Sequence, residues 1–174
     1  MRFARRMLLI IVTFICCVGC DQVSKIVIRN HLAIGETYSY LHDTVRLTHS
    51  ENSGAFLSLG DKLPEHTRVM LFSVMVLVIS AAALSATFFM KQLNQYQIIG
   101  LALIASGGFG NWIDRVTNSG HVTDFMNIGI GWLRTGIFNV ADVALMAGLA
   151  LCLFATKEKL PASPDSMLKS TRTE

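Results

Sequence analysis

The residue that most strongly suggests chemistry is a carboxylate inside an apolar stretch near the C-terminal end of the chain. Asp142 is the only charge in residues 137–156, about five residues from the start of that run, or roughly 7–8 Å along a helix. Asn139 precedes it by three positions, so both side chains can face one side. A carboxylate at such a depth needs a partner or a proton, which makes Asp142 a functional candidate.

A second carboxylate, Asp124, lies in the apolar-flanked stretch 121–125 and is expected on the same side of a membrane as Asp142. Two neighbouring carboxylates cannot both ionise easily, so one keeps a proton, as in aspartic proteases. The pair therefore suggests acid–base hydrolysis. The alternative is two unrelated acids, one of them paired with Arg115.

Two further polar pairs have the spacing of one helix face. Asp21 and Lys25 are four residues apart, which suits an ion pair that pins the outer end of the first apolar segment. Asn111 and Arg115 have the same spacing, and they either stabilise the interior of a helix bundle or bind a polar group. Arg115 could stabilise a developing negative charge, or it could form a structural ion pair with Asp114 or Asp142.

Other catalytic chemistries have little support. His121 and Asp124 are three residues apart, but the remaining histidines have no ligand spacing, so no metal site is predicted. The serines lack the G-x-S-x-G context of a nucleophile. Three glycines at 107, 108 and 110 lack the features of a phosphate loop and favour close helix packing.

The composition indicates what kind of protein carries these groups. Of 174 residues, 52% are hydrophobic and 16% are charged, which argues against a soluble enzyme and a disordered chain. The small net charge of +3, scattered along the chain, argues against nucleic-acid binding. Apolar segments at about 7–28, 69–90, 98–113 and 137–156 predict four transmembrane helices in one domain, residues 1–156. Residues 157–174 are predicted to form a polar cytoplasmic tail.

The basic residues predict an orientation. Arginines 2, 5 and 6, Lys91 and the lysines of the C-terminal tail must share one side if all four segments span. Basic flanks favour the cytoplasm, so both termini are predicted to be cytoplasmic. Regions 30–67 and 115–136 then face outward.

The first outer region is more than a simple loop. Residues 37–41 and 44–48 alternate in polarity and are rich in Thr, Tyr and Val, which predicts two short strands. Residues 52–54 are a turn signal, and a helix is expected to begin between Asp61 and Arg68 with Pro64 in its first turn. The fold class expected is an all-α membrane protein of four helices, with a small extracytoplasmic β-sheet, or cradle, and an outer loop.

Five short motifs together resemble lipoprotein signal peptidase, also called signal peptidase II. They are Asp21-Gln-Val-Ser-Lys25, Asn52-Ser-Gly-Ala-Phe56, Gly110-Asn-Trp-Ile-Asp-Arg115, Val122-Thr-Asp-Phe125 and Phe138-Asn-Val-Ala-Asp142. Each is weak alone, but the five in order, over roughly residues 7 to 156, are specific. The chain departs from the family at Ser106-Gly107, where a Gly-Gly pair is usual, and in a second motif shortened by one alanine.

The resemblance implies an intramembrane aspartic endopeptidase of the bacterial inner membrane, with its active site near the periplasmic face. Asp124 and Asp142 would activate a water that cleaves diacylglyceryl-modified prolipoproteins just before the lipidated cysteine, without cofactor or metal. The resemblance places Asn52, Gly54, Asn111, Arg115 and Asn139 around this dyad as residues that bind substrate or position the aspartates. It also implies inhibition by globomycin, and nothing in the sequence requires an oligomer.

Two alternatives predict different behaviour. A small transporter would use Asp142 and Asp21 as ion sites, and loss of Asp124 would matter little. A lipid-anchored lipoprotein would be cleaved before Cys20 after a secretory signal. Three further hydrophobic segments follow Cys20, and a lipid-anchored protein does not need them.

Overall fold

Four helices form the body of the protein in the computed structural model, which describes residues 3–53 and 64–157. They are α1 (Phe3–His31), α2 (Glu65–Phe89), α3 (Gln95–Thr117) and α4 (Val140–Lys157). Helix α3 contacts each of the other three, so it is the central helix of the bundle. The predicted combination of four helices with a small sheet is confirmed.

Two of these helices have the length and hydropathy of membrane spans. They are Phe3–His31 and Val69–Phe89, of 29 and 21 residues. Residues Val140–Ala155 form a shorter apolar helix. Many large apolar side chains on α1, α2 and α4 point outward, including Ile15, Val78 and Phe154. An exterior of this kind is stable in lipid and poorly suited to water.

A four-stranded antiparallel sheet covers one end of the bundle. Its strands, in spatial order, are β1 (Thr37–Tyr40), β2 (Val45–Asn52), β3 (Val122–Ile130) and β4 (Leu133–Arg134). The two strands predicted in the first outer region are confirmed, and the second continues to Asn52. The nine-residue strand β3 was not predicted, although its register with β2 fixes one edge of the candidate site.

Helix boundaries differ from the predicted segments in ways that matter for the site. Helix α4 begins at Val140, so Asp142 lies in its first turn rather than five residues inside a helix. Pro64 is the N-cap of α2 and precedes its first turn. Helix α3 begins with a capping box between Asn94 and Gln97 and extends to Thr117, so Asn111 and Arg115 share one continuous helix. Helix α2 begins at Glu65, within the predicted interval, and residues 61–63 of that interval lie outside the described residues.

Small residues allow α3 to approach its neighbours closely. A Cβ on Gly107 would collide with the carbonyl oxygen of Ala141 in α4, and a Cβ on Gly110 would lie 2.6 Å from Asp21 Oδ2 in α1. A Cβ on Gly100 would lie 2.8 Å from the carbonyl oxygen of Gly148, and a Cβ on Gly148 would lie 2.5 Å from the carbonyl oxygen of Gly100. The glycines thus bring the backbone of α3 against α1 and α4, which agrees with the predicted packing role.

This packing predicts opposite effects for two glycine substitutions. Gly107→Ala forces the backbones of α3 and α4 apart, and we expect it to lower stability by about 1–3 kcal/mol. Gly19→Ala is the matched control, since nothing lies within 4 Å of its added Cβ. In a helix it is expected to be neutral or stabilising by up to about 1 kcal/mol. Thermal unfolding in detergent measures both, and equal effects would contradict the close approach.

Candidate active site

Asp124, the first carboxylate of the site, lies on strand β3. Asp124 pairs with Ser50 of β2 in the antiparallel register and is 3% exposed. Asn52, at the end of β2, donates a hydrogen bond of 3.0 Å from Nδ2 to Asp124 Oδ2. The register between β2 and β3 therefore brings an amide donor to the buried carboxylate.

The segment that leads into α4 is attached to the same strand. The backbone of Phe138 exchanges hydrogen bonds with Met126, at 2.8 and 2.9 Å, and accepts another from Phe125 at 3.0 Å. Because Phe138 directly precedes Asn139, this bridge holds the start of α4 beside Asp124. Two carboxylates 18 residues apart in sequence are thereby brought to one place.

Asn139 and Asp142 cap the start of α4 reciprocally. Asn139 Oδ1 accepts from the Asp142 backbone N–H at 3.0 Å, and the Asn139 backbone N–H donates to Asp142 Oδ2 at 3.1 Å. This is the geometry of a capping box, with Asn at the N-cap and Asp at the third helical position. It fixes the Asp142 carboxylate and also fixes which way the Asn139 amide points.

The fixed amide of Asn139 connects the two carboxylates. Its Nδ2 donates to Asp124 Oδ1 at 2.6 Å and lies 3.0 Å from Asn111 Oδ1. Asn111 Nδ2 in turn donates to Asp142 Oδ1 at 3.0 Å. All four carboxylate oxygens of Asp124 and Asp142 thus accept an N–H, three from side-chain amides and one from the backbone.

A buried ion cluster lies behind these amides. Lys25 Nζ is 2.8 Å from Asp21 Oδ2 and 3.1 Å from Asp114 Oδ2, and all three side chains are at most 1% exposed. Its third contact is Asn111 Oδ1 at 2.9 Å. Arg29 adds a second cation, with Nη1 at 3.6 Å from Asp114 Oδ1. The cluster joins α1 to α3 and touches the site through Asn111.

Arg115 does not form the ion pairs that its spacing suggested. Its Nη1 donates to the backbone carbonyl of Asn111 at 3.1 Å, while Asp114 is paired with Lys25 and Arg29. Across residues 3–53 and 64–157, Arg115 Nε is buried with no hydrogen-bond partner. A donor in that state can take up a carbonyl oxygen of a ligand. Gly54, the remaining predicted site residue, lies outside the described residues.

Burial sets the protonation of Asp124. Desolvation raises its pKa from 3.8 to about 6, and the negative charge of Asp142 adds to the rise. The hydrogen bonds from Asn52 and Asn139 and the charge of Lys25 oppose it, because they stabilise the carboxylate. Asp124 therefore changes its protonation near pH 6, close to the working range of an acid–base catalyst.

An apolar cavity of about 500 Å³ opens beside the second carboxylate. It is lined by Phe138, Asp142, Val143, Met146 and Ala147. Asp142 contributes the charged group of this lining, so a largely hydrocarbon ligand in the cavity would lie against the carboxylate. Within the described ranges, no group of three or more His, Cys, Asp or Glu side chains is arranged to hold a metal ion.

Sequence reasoning missed several partners of the site. Thr123 donates its backbone N–H to Asp114 Oδ2 at 3.0 Å, and Arg29 donates to the Thr123 hydroxyl at 3.1 Å, so β3 is tied to α1 and α3 directly before Asp124. These contacts span 9 and 94 residues, and no local spacing reveals them. The cap of α4 is different, because Asn-x-x-Asp before an apolar run is a recognisable start signal.

Comparisons with known proteins point in one direction. A family model described as "Signal peptidase (SPase) II" matches residues 13–157. A lipoprotein signal peptidase of Streptococcus pneumoniae is 33% identical over 138 residues, which cover 79% of this chain and 85% of that protein. A lipoprotein signal peptidase of Streptococcus pyogenes serotype M2 is 31% identical over 153 residues, covering 86% and 95%.

The fold has a solved counterpart. A bacterial membrane enzyme, solved by the in meso method at 1.9 Å, superposes with a TM-score of 0.74. The two sequences are 26% identical, and the match covers 91% of this chain and 96% of the other. The helical bundle with its small sheet is therefore the fold of a membrane enzyme.

The raised pKa of Asp124 predicts a pH-dependent contribution to stability. Its folded-state pKa exceeds its unfolded value, so the fold gains stability from this proton as the pH falls from about 6 to about 4. The Asp124→Asn variant has no titratable group at this position. Its stability relative to that of the wild type should therefore rise by roughly 3 kcal/mol between about pH 4 and pH 7. Thermal melting of both proteins across this range measures the difference, and a constant offset would contradict the raised pKa.

Proposed function

Because this chain belongs to the signal peptidase II family, aspartic proteases that remove the signal peptides of lipoproteins, we propose that Asp124 and Asp142 are its catalytic dyad. The observation that carries the proposal is the Asn139 amide, which donates to Asp124 Oδ1 while its own cap fixes Asp142. The family match favours the peptidase over the transporter and lipoprotein alternatives.

The dyad acts as one acid–base pair, in which Asp124 takes up a proton near pH 6. The ionised aspartate takes a proton from a water molecule as that water attacks the scissile carbonyl, and the protonated aspartate donates a hydrogen bond to the carbonyl oxygen. The pKa of about 6 for Asp124 supports this role. Asn52, Asn111 and Asn139 orient the carboxylates. The Nε–H of Arg115, which has no partner among residues 3–53 and 64–157, is available to a substrate carbonyl.

The substrate is a diacylglyceryl-modified prolipoprotein, cleaved just before its lipidated cysteine. The apolar cavity beside Asp142 supports this choice, since acyl chains held there anchor the cysteine next to the dyad. An amphiphilic substrate whose reactive bond lies at the membrane interface needs a catalytic group at the end of a helix rather than in its middle. Asp142 occupies such a place, in the first turn of α4.

The proposed topology has four spans, with both termini in the cytoplasm and the sheet and dyad on the periplasmic side of the bacterial inner membrane. Arg6 near the start of α1 donates to the carbonyls of Thr87 and Met90 at the end of α2, so these two ends share one side of the bundle. The sheet lies at the opposite end. The enzyme acts as a monomer, because one chain supplies both aspartates and their partners, and globomycin-type inhibitors compete for the same site.

The dyad predicts complete dependence on both carboxylates. Asp124→Asn and Asp142→Asn should each lower the rate of signal-peptide release by about a thousand-fold or more, since neither variant retains both groups of the acid–base pair. The assay uses purified protein in detergent with a diacylglyceryl-modified prolipoprotein, and thermal melting verifies folding. Glu36→Gln is the matched control, because Glu36 is a partly exposed carboxylate outside the site, and it should retain wild-type activity.

Near-normal cleavage by a folded Asp124→Asn or Asp142→Asn variant would remove that aspartate from the dyad. A wild-type protein that leaves a validated lipidated substrate intact would refute the proposed reaction.

The topology predicts the location of the C-terminus. A fluorescent protein that matures only in the cytoplasm should fluoresce when fused after Glu174. Alkaline phosphatase, which folds only in the periplasm, should be inactive at the same position and active when inserted in the β1–β2 turn. The reverse pattern would contradict the proposed orientation.

A further inference from the structure

The buried ammonium of Lys25 contacts the proposed catalytic machinery without touching a reacting group. Lysine has three N–H donors and no acceptor, and Nζ has three polar contacts, to Asp21, Asp114 and Asn111. The Lys25 side chain is fully buried. Its hydrogen-bonding capacity is therefore saturated, and one of its three bonds is directed at the amide that holds Asp142.

This third bond fixes the polarity of the Asn111 amide. An ammonium can only donate, so the atom facing Lys25 must be Asn111 Oδ1, and the Nδ2 group must then face Asp142 Oδ1, 3.0 Å away. Asn139 Nδ2 donates to the same Oδ1, so the assignment has two independent supports. A positive charge on one side of the amide strengthens the hydrogen bond on its other side.

Ion pairing alone does not explain the position of Lys25. Asp21 or Asp114 would each suffice as a counter-ion, and Asp114 also has Arg29 at 3.6 Å. Lys25 and Arg29 balance the charges of Asp21 and Asp114, so the cluster is neutral. Burying four charges is still costly compared with an apolar core of the same volume. A cluster that also acts on the dyad has a function that offsets this cost.

We propose that Lys25 is a positioning residue for the dyad, whose ammonium acts through Asn111 on Asp142 and helps set the pH range in which the peptidase cleaves. This inference rests on the proposed dyad. A positive charge favours the ionised form of a carboxyl near it, so it moves the activity curve toward lower pH. For Asp124 the same influence is visible, since Lys25 is among the groups that lower its pKa.

Other charged groups lie near Lys25 and the two carboxylates. Asp21 and Arg29 on α1 and Asp114 on α3 form the ion cluster with Lys25, and Arg115 on α3 interacts electrostatically with both Asp124 and Asp142. On β2, Glu51 accepts a hydrogen bond from Thr123, directly before Asp124, and pairs with His49. Removing Lys25 alone leaves a buried carboxylate without compensation and endangers folding. The comparison therefore starts from Asp21→Asn, which retains the ammonium, and adds Lys25→Met, which removes it.

The two variants differ only at position 25, where methionine removes the positive charge together with the hydrogen bonds of the ammonium. Asn111 keeps its orientation in both, because Asn139 still donates to its Oδ1. We expect Asp21→Asn, which leaves the cluster with an extra positive charge, to move the pH dependence of kcat to lower pH than the wild type. The Asp21→Asn/Lys25→Met variant should lie at higher pH than Asp21→Asn, by about half a unit to one unit on both limbs.

Lys91→Met is the matched control, since it removes one exposed positive charge between α2 and α3. Its pH curve should coincide with that of the wild type. Coincident curves for the single and double variants, with only lower yield or rate, would assign Lys25 a purely structural role and overturn the proposal. If the double variant does not fold, an unshifted Asp21→Asn curve overturns it equally.

Asp124→Asn and Asp142→Asn are assayed in parallel, so that failure of the proposed dyad can be distinguished from failure of the proposed role of Lys25. Cleavage by either variant refutes the dyad and, with it, the role of Lys25. Loss of cleavage in both, together with unmoved pH curves, refutes the role of Lys25 alone.

Discussion

The structure depends on one constraint, which is that the charged and amide groups enclosed by the apolar bundle must find their partners within the protein; among the described residues, Arg115 Nε is the exception. Lys25 meets this constraint with three acceptors for its three donors, and Asp21 uses its other oxygen, Oδ1, to accept the Ala141 backbone N–H at 2.9 Å. In a low-dielectric interior an unpaired member of such a network would cost several kcal/mol. The polar network therefore holds α1, α3 and α4 in one arrangement.

The site is formed where this network meets the sheet. Strand β3 and the segment before α4 are bridged at Met126 and Phe138, and the network reaches both through Asn111 and Asn139. Asp124 comes from a strand and Asp142 from the first turn of a helix, so neither element positions the pair alone. Because three amides and a backbone N–H hold the four carboxylate oxygens, the geometry that a reaction needs is present before substrate binds.

Sequence reasoning reached the four helices, the small sheet and a polar candidate set because these depend on local signals. Apolar length identifies a helix, alternation identifies β1 and β2, and burial cost singles out Asp142 in an apolar run. It missed β3, whose mixed pattern at residues 122–130 has no clean alternation. One possibility that it left open was an ion pair of Arg115 with Asp114 or Asp142, whereas Asp114 pairs with Lys25 and Arg29. Lys25 and Arg29 lie 89 and 85 residues before Asp114 in the sequence, and helical spacing carries no information about partners so far apart.

The central claim is that Asp124 and Asp142 act as one acid–base pair, in which Asp124 takes up a proton near pH 6. Difference infrared spectroscopy of the folded protein detects a protonated carboxyl directly, and spectra of the wild type, Asp124→Asn and Asp142→Asn between about pH 5 and pH 7 identify its owner. The account predicts one buried carboxyl signal in the wild type that either substitution alters or removes. A signal that persists unchanged in both variants, or its absence from the wild type, would contradict the account.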